Sequence, residues 1–380
     1  MNAERWGGDM PRARRRLYGV LIAVFAIGLC LAVTETVLSF MDQPAETTDT
    51  LDPGLILHDG ELGWRLAPDW NGRHRRNDYD VRYSTNRYGY RGDFEQAFSP
   101  AKSKRYAVLG DSFTFGFGVN DGETFVDRLN HRAPREELFL NFGVPGYSTD
   151  QELLQAARAL NAFRITDFVL VVHLANDLID NTLDFPIQTA ARAKPHFDLE
   201  RGRLILRNQP VPDSRKGPAE PAGNFAAIVL AGVEPPGVID RWIGNRAITR
   251  HLGIEWPPPA RLFPAQARRF TPSLDLFMAL GEALRDVAAR RGAKLHIVLL
   301  GGRSFVADPR GYSAQYQDHM RALIVARAGP AGLRVLDLAG YMRVEDPRGQ
   351  LYYPQDGPLT AQGNRIVAQW LGKNLRESGQ

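Results

Sequence analysis

Residues 106–119 read YAVLGDSFTFGFGV. A short apolar run ends here in Gly110-Asp111-Ser112, and a glycine-rich turn follows. The run has the pattern of a strand covered on both faces, and glycine at its end permits a tight turn. A serine placed there exposes its hydroxyl and offers its backbone N–H to a developing oxyanion. Taken alone, such a tripeptide is more often an ordinary turn that caps the next helix, so the neighbouring segments must carry the argument. Gly116-Phe117-Gly118 does not continue into a dinucleotide fingerprint.

The same apolar pattern recurs in LFLNFG (138–143), FVLVVHL (168–174), KLHIVLL (294–300) and LRVLDL (333–338). Helical periodicity is expected between and after these runs, at Glu123–Arg132, Thr149–Ala162, Leu274–Arg291, Tyr312–Ala328 and Thr360–Leu375, with Thr360 as an N-cap. Alternating strands and helices imply an α/β domain with a parallel sheet and helices on both faces. Residues 180–272 interrupt the alternation with prolines, aromatics and HFDLERGRLILRN, a predicted hairpin. They read as an insertion after the third strand, either a lid over the site that includes Trp242 and Trp256 or a protein-docking platform.

Ligands of open α/β sheets bind beyond the carboxyl ends of the strands. After the second run, Gly146 precedes a helix whose free N–H groups favour negative charge. After the third, HLANDLIDN places Asn176 and Asp177 in a loop, where an amide can donate to an oxyanion without adding charge.

In order and spacing, Gly110-Asp111-Ser112, Gly146 and Asn176-Asp177 resemble the first three blocks of the SGNH/GDSL hydrolase superfamily. The resemblance covers residues 55–375, with the lead-in NRYGYRG. It implies a three-layer α/β/α, flavodoxin-like domain in which Ser112 is the nucleophile and, through its N–H, an oxyanion donor. Gly146 and Asn176 would be the other two donors. The family's last block is an aspartate followed two or three residues later by a histidine. Asp356 matches the aspartate, but Gly357, Pro358 and Leu359 follow it, and no histidine occurs after His319. Proline has neither a titratable group nor a backbone donor. Losing such a histidine costs about 10⁶-fold in turnover in a well-studied serine protease. Asp356 itself, or His173, His196 or His251 recruited from elsewhere, are the candidate replacements.

The resemblance implies an acyl-ester hydrolase or O-acyltransferase working through an acyl-serine at Ser112. Its substrate would be an acetylated glycan, a lipid or a small ester. The alternative is a catalytically silent binding or assembly module on the same scaffold. No metal or organic cofactor is expected, because His, Cys and Glu nowhere cluster at ligand spacing.

The 380 residues, 44% hydrophobic, suffice for a large core. Of the net charge of +4, residues 1–16 supply most, with five arginines against Glu4 and Asp9, so no nucleic-acid partner is implied. Arg73, His74, Arg75 and Arg76 read as a solvated basic loop. Leu17–Thr34 lacks charge and, at ~1.5 Å per residue, matches a hydrocarbon core. A single-pass signal anchor in a bacterial inner membrane is expected over 17–38. The basic tail 1–16 would be cytoplasmic and the C-terminal bulk periplasmic or extracellular. A cleaved signal peptide, with Cys30-Leu31-Ala32 near its site, is the rival reading. A linker at 39–55, a β-rich lead-in at 56–104 and the main domain at 105–380 complete the expected organisation. Cys30 is the one cysteine, so no intramolecular disulfide forms.

Overall fold

The computed structural model describes residues 12–41, 49–186, 192–213, 243, 246–252, 270–355 and 357–376. It falls into two bodies, residues 1–46 with 234–258 and residues 47–233 with 259–380. In the first, helix α1 (Arg12–Met41) carries an apolar stretch, Arg14–Ser39, of mean hydropathy 2.5. By length and composition this stretch is able to cross a membrane, as an anchor or a signal sequence. Beside α1 lies the short helix Ala247–His251, whose Ala247 and Ile248 N–H groups donate to the Glu35 carboxylate at 2.7 and 3.1 Å. An acidic group is favourable at a helix N-terminus, where the first N–H groups lack partners.

The second body opens with antiparallel pairs. Strand β1 (Thr50–Leu51) pairs with β4 (Asn71–Arg75), which pairs with β5 (Asp80–Ser84), while β2 (Ile56–Asp59) pairs with β3 (Gly63–Leu66). The basic patch is not a loop. It lies along β4, where alternation buries His74 between Tyr83 and Asp49 and leaves Arg73 and Arg75 paired with Asp80.

The main sheet has five parallel strands: β6 (Lys104–Leu109), β7 (Glu137–Asn141), β8 (Asp167–His173), β11 (Lys294–Leu300) and β12 (Val335–Leu336). Between β8 and β11 comes the predicted hairpin, β9 (His196–Glu200) and β10 (Arg203–Arg207). Spatial order across the main sheet is β12-β11-β8-β6-β7, which in chain order is the flavodoxin-like 2-1-3-4-5.

Direction reverses after β7, and right-handed crossovers then place successive helices on opposite faces. Thus α3 (Phe125–Arg132) packs against the last helix, α10 (Ala361–Arg376), and α4 (Thr149–Ala162) packs against α6 (Thr271–Ala289). α8 (Tyr312–Ala328) precedes β12. The α/β/α layering expected from sequence is therefore present. Its core includes Val108, Leu170, Val172 and Leu299, all fully buried.

Two boundaries are corrected. The first strand stops at Leu109, because Asp111 caps a one-turn helix, α2 (Ser112–Phe115), by accepting the Phe113 N–H at 2.8 Å. The run at 333–338 yields only two strand residues. It lies at the sheet edge, and Asp337 turns to cap α9 (Leu338–Glu345) through the Gly340 N–H at 2.9 Å. Short helices α5 (Asp177–Asp180) and α7 (Arg303–Ala307) follow β8 and β11 at the carboxyl edge.

Candidate active site

The chain reverses its lateral course between β6 and β8, and the loops after these strands leave the sheet side by side. Ser112 starts α2 at this point and is half-buried, whereas Asp111 and Phe113 on either side are buried. The turn tolerates no side chain at Gly110, where a Cβ would fall 2.1 Å from Thr114 Oγ1.

The loop after β7 is bonded to this turn. Val144 N–H donates to Gly110 O at 2.9 Å, and Asn141 Nδ2 donates to Thr114 O at 2.9 Å. Gly143 lies so close that a Cβ there would stand 2.1 Å from Phe115 N. The chain then turns through Val144-Pro145-Gly146-Tyr147, closed by Tyr147 N–H to Val144 O at 3.1 Å. Gly146 has φ +81°, as the third position of a type II turn requires. From the lead-in, Trp64 Nε1 donates to Pro145 O at 3.1 Å and Tyr147 Oη donates to Trp64 O at 2.5 Å.

Arg91, from the NRYGYRG segment, is 1% exposed. Its guanidinium donates to Phe115 O, Gly116 O and Val119 O at 2.8–3.2 Å and to Asp121. Arg91 therefore holds the carbonyls at the end of α2. Beyond it, Gly118 is gripped on both sides: its N–H donates to Tyr83 Oη at 3.1 Å, and its carbonyl accepts from Tyr353 Oη at 3.0 Å. Tyr353 thereby ties the last block to the loop after Ser112. In that block Tyr353 N–H donates to the carbonyl of buried Pro358 at 2.8 Å, and Gly357 takes φ +86°. Asp356, Trp242 and Trp256 lie outside the described residues.

Asn176 is at the same edge but buried. Its amide donates to Asp180 Oδ2 at 2.7 Å and Asp177 Oδ1 at 3.2 Å, and its oxygen accepts from His173 Nδ1 at 2.6 Å. Of the three expected oxyanion donors, two stand at the accessible edge and the third is turned inward onto carboxylates.

Of the histidines considered as replacement bases, His173 is bonded to Asn176 through Nδ1. Since Asn176 Oδ1 can only accept, His173 carries its proton on Nδ1. Its Nε2 faces Gly302, where a Cβ would stand 3.2 Å away, on the β11 side of β8 and so opposite β6. Burial pulls its pKa down to about 4, and the ring is neutral at pH 7. His196 sits in the β9–β10 hairpin, in register with Arg207. His251 belongs to the body that contains α1. His74, near the loop after Ser112, uses Nδ1 on Tyr83 Oη at 2.9 Å and Nε2 on Asp49 at 3.0 Å.

Sequence reading missed a cluster of buried carboxyls behind the edge: Asp111, Asp150, Glu152, Asp177 and Asp180, each at most 2% exposed. Fully buried Lys194 reaches Asp150 and donates to Ser148 Oγ at 2.9 Å. No sequence signal marks these residues as a group, since they come from four segments. Burial pushes the Asp111 carboxyl up to about 7, against hydrogen bonds from Phe113 and Ser112. Glu152 and Asp177 are pushed well up by burial and then by repulsion from the neighbouring acids, Asp111 among them.

Such groups bind protons more tightly when folded. Their stabilisation is complete below the unfolded carboxyl range near pH ~4 and is lost as pH rises through the folded value. For Asp111 the window runs from 3.8 to about 7. Urea midpoints are expected to fall across it, approaching ~1.4 kcal/mol per pH unit per proton. Asp111→Asn should flatten that slope.

Comparison with known proteins gives a match to the sequence profile of the GDSL-like Lipase/Acylhydrolase family over residues 108–366. No curated protein matches the chain. Among solved structures, a lipase/acylhydrolase from Enterococcus faecalis is 11% identical with a TM-score of 0.39, covering 72% of this chain and 96% of its own. A member of the lipolytic G-D-S-L family from Veillonella parvula is 11% identical with a TM-score of 0.37, covering 71% and 97%. The psychrotrophic esterase EstA from Pseudoalteromonas sp. is 9% identical with a TM-score of 0.39, covering 72% and 98%.

Proposed function

Because the chain belongs to the GDSL-like lipase/acylhydrolase family, we propose that it is a serine ester hydrolase or O-acyltransferase anchored by α1. It would sit in a bacterial inner membrane with its C-terminal domain in the periplasm or outside the cell. The acyl donor is an ester on a glycan, a lipid or a small molecule, and the chemistry needs no metal, organic cofactor or nucleic acid.

The observation that carries this reading is the placement of Ser112. It is half-buried, not shielded like its neighbours, at the start of a helix and at the sheet's switch point, in a turn held from three sides by the β7 loop, Arg91 and Tyr353. In this reading Ser112 Oγ attacks the ester carbonyl and forms an acyl-serine. The N–H groups of Ser112 and Gly146 hold the oxyanion. The Asn176 amide joins them after turning away from Asp180, and Asp356 orients the proton acceptor.

Full-length protein in detergent, treated with a fluorophosphonate, should be labelled covalently. Ser112→Ala should abolish both labelling and ester turnover. Equal labelling of the two forms would sink the reading.

Buried Pro358, standing where the family's histidine belongs, favours a second reading, a catalytically silent binding module. That reading expects no labelling of the natural chain and labelling of Pro358→His.

A further inference from the structure

We propose that the short helix Ala247–His251 is a second membrane contact: it lies in the headgroup layer of the bilayer, held there by Glu35 of α1. The proposal rests on the anchor reading above and brings a part of the insertion, distant in sequence from the span, to the membrane surface.

Its depth follows from where Glu35 stands. Leu17–Thr34 carries no charge and, at ~1.5 Å per residue, spans ~27 Å, about one hydrocarbon core. Glu35 is the next residue and so meets the far boundary of that core. The Ala247 and Ile248 N–H groups donate to its two carboxylate oxygens at 2.7 and 3.1 Å. The helix therefore shares the depth of Glu35 to within a side chain's length, whichever way the span tilts.

Both partners need the bond. A carboxylate at the end of a membrane helix is costly unless it is paired, and the first N–H groups of a helix have no partners within it. Five residues do not hold as a helix by themselves, because nucleation is unfavourable. This helix is fixed from outside: Ala247 is fully buried, and Arg246 N–H and Thr249 Oγ donate to Ile243 O at 3.2 and 2.8 Å. α1 carries the matching mark. Of its described side chains all are exposed except Glu35 and Leu38, which are half-buried, one turn apart, where the short helix packs.

The other side of the short helix is apolar. Ile248 and Leu252 stand one turn apart, joined by Leu252 N–H to Ile248 O at 3.0 Å. Ile248 is half-buried and Leu252 is 65% exposed. The occupant of that side is lipid, because the helix sits on a span whose remaining faces lipid covers, at the level where apolar side chains enter the acyl boundary.

The test reads the depth of a nitrobenzoxadiazole fluorophore in full-length protein reconstituted into phosphatidylcholine bilayers. Nitroxide lipids quench it from the headgroup region or from deep in the acyl chains, and iodide quenches it from water. The fluorophore is placed on Cys30, the one native cysteine, or on Leu252→Cys in a Cys30→Ser chain. Cys30 should respond to the deep nitroxide and Leu252→Cys to the shallow one, with iodide quenching of the latter about threefold or more below that of the free fluorophore. Glu35→Ala should cut the shallow quenching of Leu252→Cys by about half or more and leave Cys30 unchanged. Ala247→Pro suits the first helical position but removes one of the two donors, and should shift the signal in the same direction. Circular dichroism with a thermal midpoint verifies folding of each form.

A Leu252→Cys probe open to iodide and insensitive to both nitroxides, beside a quenched Cys30, overturns the proposal and leaves the anchor standing. Shallow quenching that neither Glu35→Ala nor Ala247→Pro alters also overturns it, since Glu35 then does not hold the helix. If lipid nitroxides fail to reach Cys30, the anchor reading falls and this proposal falls with it.

Discussion

Lys194→Met is expected to lower the free energy of unfolding by about 3–5 kcal/mol, the usual cost of breaking a buried ion pair from one side. The Lys194 and Asp150 side chains are both fully shielded from solvent. Lys194 Nζ reaches the Asp150 carboxylate and Ser148 Oγ, and Ser148 Oγ in turn donates to Asp150 Oδ1 at 2.9 Å. Methionine fills the volume but leaves a carboxylate with Ser148 and backbone N–H donors alone. Burial already pushes Asp150 up, with Lys194 pulling it down.

Urea unfolding of Lys194→Met, Asp150→Asn and the double variant forms a cycle. The double variant should recover much of the loss, because no uncompensated charge remains. A loss below about 1 kcal/mol in Lys194→Met would show that the pair adds nothing net. The same change should slow Ser112 labelling. Ser148 directly follows the Gly146 turn, and Lys194 ties that turn to the first residues of the insertion.

The second large effect is expected at Arg91. Arg91→Met leaves the carbonyls of Phe115, Gly116 and Val119 without the guanidinium, each at a cost of about 1–3 kcal/mol when buried and unsatisfied. Partial entry of water limits the total to about 3–4 kcal/mol. The planar group also stacks over Tyr83 and Phe115, at 4.8 and 5.1 Å from the ring centroids. Arg91→Lys should therefore rescue little, because one ammonium cannot span three carbonyls and two rings. Denaturation midpoints should fall for both variants, with a labelling rate at Ser112 reduced even where the chain remains folded. A lysine variant indistinguishable from the natural protein would refute the role.

The alternation of strands and helices was legible because a parallel strand is covered on both faces and reads as a continuous apolar run. KLHIVLL at 294–300 coincides with β11 for that reason. LRVLDL fails the same test, since an edge strand has one neighbour and Asp337 gains more by capping a helix. Ser112 and Gly146 were legible through the glycines that their turns require. Arg91 and Lys194 were not, because each serves partners that lie elsewhere in the chain, and nothing local marks a buried cation.

The order of residues alone fixed an α/β chain, an apolar N-terminal helix and a serine turn, with proline at 358 where the resemblance expects a histidine. Those properties are local, carried by periodicity, length and turn chemistry. Three others were decided only in three dimensions: that Asn176 turns its amide to Asp180, that His173 points its lone pair toward β11, and that five carboxyls are buried behind one sheet edge. Proton affinity and hydrogen-bond direction depend on what burial brings near a group, and segments far apart in the chain meet only when the sheet closes over them.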